Sequence, residues 1–178
     1  SLPDTDDFLL VWVHALYKLG QPRWDQLFIQ RFSSLGVALS MPTMIYENKY
    51  PDAHDTSAME ARYVPATGEL LIVWDDQVSD TTLRRVRWLW SSIEGEMVGE
   101  DTFAAFDDGL GNQRLADVDV FSEGGFVITW DDDAGDVDGY SAKARLFEVD
   151  GSPTTGELTL NRNGVGDQRD PGAAVLAN

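Results

Sequence analysis

The 178-residue chain contains no cysteine, which closes off disulfides and thiolate metal sites and leaves the redox compartment open. Positive charge is scarce: 13 Lys and Arg stand against 31 Asp and Glu, a formal net charge of −18. Nucleic acid is held by clustered basic residues and anionic lipid attracts polybasic segments, so this balance argues against both partners. Long apolar runs are missing too. The longest, Phe8 to Val13, falls far short of the roughly 20 residues a bilayer-spanning helix needs. Ser1 to Asp7 are polar and acidic, unlike a secretory leader. The two histidines, His14 and His54, sit in no His-x-x-x-His or Glu-x-x-His spacing, which argues against zinc. No Gly-x-Ser-x-Gly elbow, phosphate-binding loop or dinucleotide fingerprint occurs. What the chain does have is apolar material: 43% hydrophobic and 11% aromatic residues, too rich for a disordered acidic tail. At this length roughly 70% of the unfolded surface is buried on folding, enough for a core without staples.

Internal repetition organises that material. Phe8 to Trp12, Leu70 to Trp74 and Phe126 to Trp130 are three similar runs, each preceded by a turn signal, with their tryptophans 62 and 56 residues apart. A strand-like stretch ending in a glycine turn follows each: Leu27 to Gly36, Val86 to Gly95 and Ala142 to Gly151. A third landmark, Gly111-Asn112-Gln113-Arg114 and Gly166-Asp167-Gln168-Arg169, recurs in the second and third units; Ala53-His54-Asp55-Thr56 takes its place in the first. The tryptophans Trp12, Trp74 and Trp130 are therefore read as structural, packing between units.

The third unit predicts four strands: Phe126 to Trp130, Tyr140 to Val149, Glu157 to Asn161 and Ala173 to Leu176, the last with Val118 to Phe121 as its counterpart in the second unit. In the first unit, Phe8 to Leu19 and Trp24 to Phe32 also fit two amphipathic helices. Their register against alternating, β-branched segments elsewhere decides for strands, so little helix is expected.

Four strands per unit resemble the blades of a β-propeller, four-stranded sheets set around a channel. The strings Gly124 to Trp130, Ala144 to Gly151 and Gly166 to Pro171 resemble the tandem propeller-type repeats of large secreted bacterial proteins that carry calcium-binding or adhesive modules. The resemblance implies an all-β chain of three tandem four-stranded propeller-type blades, at about 1–64, 65–121 and 122–170, with a strand-exchange segment 171–178. It also implies an extracellular or cell-surface, non-catalytic role in a bacterium. Ser1-Leu2 align with Val175-Leu176, so the first unit lacks an inner strand that residues 171–178 can replace. Three blades fall below the roughly four to eight of a propeller ring. A second chain, giving a homo-oligomer, or neighbouring blades of a larger assembly would complete it.

Candidate sites are few. Asp131, Asp133, Asp136 and Asp138 lie in one acidic, glycine-bearing loop, where clustered carboxylates suit the six to eight oxygens of Ca²⁺, although the spacing is not that of an EF-hand. The alternative is a solvated acidic loop. Asp75-Asp76 stands at the matching place one unit earlier. Asp107 to Asn112 is explained by turn chemistry alone. Trp88 and Trp90 share a strand face by period two, beside Arg85 and Arg87, the one locally basic patch; this face suits an acidic glycan or an acidic neighbour, while pairing of the arginines with the adjacent unit is the plainer account. Carboxylates abound, but none is singled out as an acid/base pair. The expected function is a binding or adhesion module with a glycan as candidate ligand. A structural subunit of a surface filament and a propeller-type glycoside hydrolase or lyase are the alternatives.

Overall fold

Each tryptophan-ending run is a strand in the computed structural model, which describes residues 6–16, 24–48, 57–77, 83–104, 111–134, 139–161 and 165–176. The first sheet contains β1 (Phe8–Leu16), β2 (Trp24–Phe32) and β3 (Thr43–Glu47), hydrogen-bonded in that order. The second contains β4 (Ser57–Val64), β5 (Glu69–Gln77), β6 (Arg84–Ser91) and β7 (Met97–Phe103), and the third β8 (Gln113–Val120), β9 (Phe126–Asp132), β10 (Ser141–Phe147) and β11 (Leu158–Thr159), again in chain order. All pairings are antiparallel. The protein is all-β, with three antiparallel sheets of three, four and four strands that do not close into a ring. Both segments that fitted helices in the first unit are strands, β1 and β2, paired from Phe8↔Phe32 to Leu16↔Trp24.

The glycine landmarks are turn residues of one recurring design. In the turns at Ser33, Ser92, Phe121 and Glu148, that residue's N–H donates to the carbonyl four residues on, and its carbonyl accepts from the glycine three residues on. Gly36, Gly95, Gly124 and Gly151 hold φ between 77° and 94°, where a side chain is strained. Two of these turns also press on the preceding sheet. A Cβ at Gly95 would stand 2.6 Å from Ile29 Cγ2, and one at Gly151 would meet the Trp88 ring.

Each of the two inter-sheet layers is apolar. Leu27, Ile29 and Ile45 of the first sheet pack against Leu70, Ile72, Trp74 and Leu89 of the second. The opposite face of the second sheet, with Leu71, Val73, Val86, Trp88 and Trp90, packs against Val118, Phe126, Ile128, Trp130 and Phe147 of the third. Residues of β5 thus alternate between two partner sheets, and a central strand covered on both faces reads as a continuous apolar run.

Two expectations change here. Residues 171–176 belong to no sheet, so the strand expected from Ala173 to Leu176 is not formed. Its hydrogen bonds run instead to side chains of β8: the amides of Ala173 and Val175 donate to Asp117 Oδ2 and Asp119 Oδ2, at 2.9 and 2.6 Å. Trp88 and Trp90 are core residues, 4% and 8% exposed, and form no surface platform. Their rings meet Phe126 edge-on at 5.2 and 5.6 Å.

Candidate functional site

Strands β5 and β9 both carry Trp-Asp-Asp at or next to their ends, and both bury all three residues. The two copies do the same work. Asp75 Oδ1 accepts the amide of Leu115 at 3.3 Å, and Asp131 Oδ1 accepts that of Asp170 at 2.9 Å. The indole N–H of Trp74 donates to Asp76 Oδ2 at 3.2 Å, and that of Trp130 to Asp132 Oδ2 at 3.4 Å. Asn112 Oδ1 and Asp167 Oδ1 accept the amides of Arg84 and Tyr140, each at 3.1 Å. Leu115 and Asp170 follow the Gly-x-Gln-Arg landmark directly and hold φ of 53° and 55°, the αL region that a branched or bulky residue avoids. The landmark is therefore a latch: a strained residue whose N–H is fixed by a buried carboxylate, Asp75 of the second sheet for Leu115 and Asp131 of β9 for Asp170.

The latch accounts for the described part of the acidic loop. Asp131 is committed to the Asp170 amide, and burial raises its pKa against the pull of that bond and of Arg114. Asp133 accepts the Asn112 amide at 2.5 Å and its side-chain N–H at 2.8 Å. Asp136 and Asp138 lie outside the described residues. Among the described residues no three His, Asp or Glu side chains are grouped to hold a metal.

Of the basic patch, Arg87 reaches a cavity. Arg85 is buried and donates to the carbonyls of Gly111 and Arg84, at 2.6 and 2.9 Å. Arg87 lines a cleft of about 400 Å³ between the first and second sheets, with Met44, Tyr46 and Glu47 of β3 on one wall and Met97 and Asp101 of β7 on the other. Its Nη1 donates to Tyr46 Oη at 2.9 Å and lies 3.9 Å from Asp76 Oδ1; its Nη2 pairs with Asp101. Tyr46 Oη in turn donates to Asp76 Oδ2 at 3.2 Å, and the Tyr46 ring stands 4.9 Å from that of Trp74. Tyr46, Asp76 and Asp101 were not singled out as site residues; the one sequence signal is the Asp pair after Trp74.

Burial pushes the Asp76 carboxyl up to about 6, although Arg87 and the Trp74 and Tyr46 hydrogen bonds hold it down. Burial and the Asp76 charge likewise raise the Tyr46 phenol. Asp76 is fully buried. The carboxyl is closed off from the cleft, so the network reads as a lock between two sheets and not as an exposed acid or base. Because the folded value lies above that of an unfolded Asp, about 3.9, the folded state binds this proton more tightly. The group's favourable contribution is complete below pH 4 and is lost as pH rises through 6, by roughly 3 kcal/mol. Urea unfolding at pH 4 and pH 7 is expected to show this loss in the native chain and not in Asp76→Asn; parallel pH profiles would exclude it.

No protein-family model matches the chain, and no curated protein matches it. What it does has to follow from its own geometry.

Proposed function

We propose that the chain is a run of three propeller-type blades that serves outside the cell as a non-catalytic binding or adhesion module. The carrying observation is the latch, repeated bond for bond between the second and third units at a spacing of 55 or 56 residues. A blade cannot bury its own faces, and stacking supplies the core while loops stay free to vary. The placement outside the cell rests on the resemblance of Gly124 to Trp130, Ala144 to Gly151 and Gly166 to Pro171 to secreted bacterial repeats.

The non-catalytic part is supported by how the recurring carboxylates are used. Asp75, Asp76, Asp131 and Asp132 are buried acceptors of protein N–H groups, Asp132 also taking the Ala134 amide at 2.7 Å. With Trp88 and Trp90 buried, a glycan would find Trp24, 45% exposed, or the rim of the Tyr46–Arg87 cleft. Calcium enters this reading through the acidic loop of Asp131, Asp133, Asp136 and Asp138. Incubation with a panel of neutral and acidic bacterial polysaccharides tests it. Saturable binding with the glycan recovered intact is expected. New reducing ends or unsaturated products would establish the hydrolase or lyase, and a panel with no binding would leave the structural subunit.

A further inference from the structure

The walls of the cleft between the first and second sheets are β3 and β7, each the last strand of its sheet. Both leave regular pairing where they border it. In β3, Tyr46 stands opposite Leu27 and Met44 opposite Phe28, so Ile45 is an inserted residue. In β7, Thr102 stands opposite Trp88 and Val98 opposite Trp90, and Gly99 within that shift holds φ of 78°. A bulge on an edge strand re-aims the side chains around it, and here Tyr46 and Asp101 come to line one cavity.

The apolar lining is soft. Met44 on one wall and Met97 on the other are 46% and 45% exposed, although the chain has only four methionines. Thioether side chains are unbranched and polarisable, and they fit themselves to an apolar guest. A volume of about 400 Å³ lies at the small end of cavities that hold organic ligands.

The charge in the cleft has one sign to spare. Arg87 is the cation among the described lining residues, and it is committed: it pairs with Asp101, donates to Tyr46 Oη and stands 5.6 Å over the Tyr46 ring. Glu47 Oε1 accepts from the Gln26 side chain at 2.8 Å, and this carboxylate enters no ion pair among the described residues. Behind Arg87, Asp76 Oδ1 is buried and accepts no hydrogen bond. Three carboxyl groups therefore stand against one guanidinium. An anion entering the cleft would meet two carboxylates and a guanidinium already engaged. A cation would meet uncompensated negative charge in a partly desolvated setting, where attraction is stronger than in bulk water. Grouped carboxylates for a metal ion are lacking among the described residues, which leaves an organic cation.

We propose that this cleft is a binding site for a small primary amine carried on an apolar stem. The ammonium group seats at Glu47, and the stem lies along Met44 and Met97. This goes beyond the glycan reading and does not depend on it, because it rests on the cleft alone and names a different ligand class.

Isothermal titration calorimetry with three probes of one stem, hexylammonium, hexanol and hexanoate, tests it. Hexylammonium is expected to saturate a single site about tenfold more tightly than hexanol, while hexanoate does not saturate. Glu47→Gln keeps an acceptor for Gln26 and removes the charge, so it is expected to raise the hexylammonium dissociation constant about tenfold. Met97→Ala is expected to weaken hexylammonium and hexanol alike. Glu148→Gln makes the same charge change on an exposed turn of the third sheet and is expected to leave binding as it was. All three substitutions lie on edge strands or a turn, and circular dichroism is expected to match the native chain. Hexylammonium that fails to saturate, that binds no better than hexanol or hexanoate, or that responds alike to Glu47→Gln and Glu148→Gln overturns the inference.

Discussion

Replacing Phe126 with alanine is expected to lower the free energy of unfolding by about 4 kcal/mol. The ring is fully buried and touches three others, Trp88 at 5.2 Å, Trp90 at 5.6 Å and Phe147 at 4.8 Å. Two contributions add up. Withdrawing a phenyl group from the core forfeits its transfer free energy, and the cavity left behind collapses poorly, because its walls come from β6 of the second sheet and from β10 of the third, each held in its own hydrogen-bond ladder. Edge-to-face pairs are worth about 0.5–1.5 kcal/mol beyond area, which places the substitution toward the upper part of the Phe→Ala range. The internal control is Phe8→Ala. That residue occupies the same place in the first unit but is 39% exposed, so it is expected to cost about 1 kcal/mol in a dilute, one-chain preparation. Urea unfolding followed by tryptophan emission measures both. Equal losses at the two positions would mean that the second and third sheets are not packed through this ring.

That difference between matching residues also shows what the sequence made legible. The three tryptophan-ending runs, the turn glycines and the choice of strand over helix for Phe8–Leu16 and Trp24–Phe32 follow from periodicity, and periodicity reports the local backbone. Burial at Trp88 and Trp90 does not follow from it. A strand reading Arg-Arg-Val-Arg-Trp-Leu-Trp looks half polar, yet both faces of β6 are covered and Arg85 is satisfied by the carbonyl of Gly111, 26 residues on. The cleft was equally hidden. Tyr46, Asp76 and Arg87 come from two sheets and meet only when one lies on the other. Residues Ala173 to Leu176 have a strand's composition, but a strand needs a hydrogen-bonded neighbour, and pairing is a property of the fold and not of the segment.

Asp75→Ala is expected to cost 3–5 kcal/mol, the range for breaking a buried ion pair from one side. Asp75 is fully buried and serves two donors at once: the Leu115 amide at 3.3 Å and Arg84, whose Nε and Nη2 lie 2.7 and 2.5 Å from Oδ2. Alanine removes the countercharge from a guanidinium that is only 16% exposed, and it strips the acceptor from an amide whose residue already sits at φ 53°. Asp131→Ala separates these effects. Asp131 accepts the matching Asp170 amide at 2.9 Å but enters no ion pair among the described residues, so the expected cost falls to about 2 kcal/mol, that of leaving one buried donor unpaired. Asp75→Asn should lie between them, since the amide oxygen can still accept from Leu115 while the charge facing Arg84 is gone. The ordering Asp75→Ala, Asp75→Asn, Asp131→Ala in unfolding free energy is therefore the signature of a latch reinforced by a direct ion pair at Asp75 and not at Asp131. Should Asp131→Ala cost no more than a surface substitution, the carboxylates after Trp130 would not be fastening the fold, and a cation would become the better reason for their crowding.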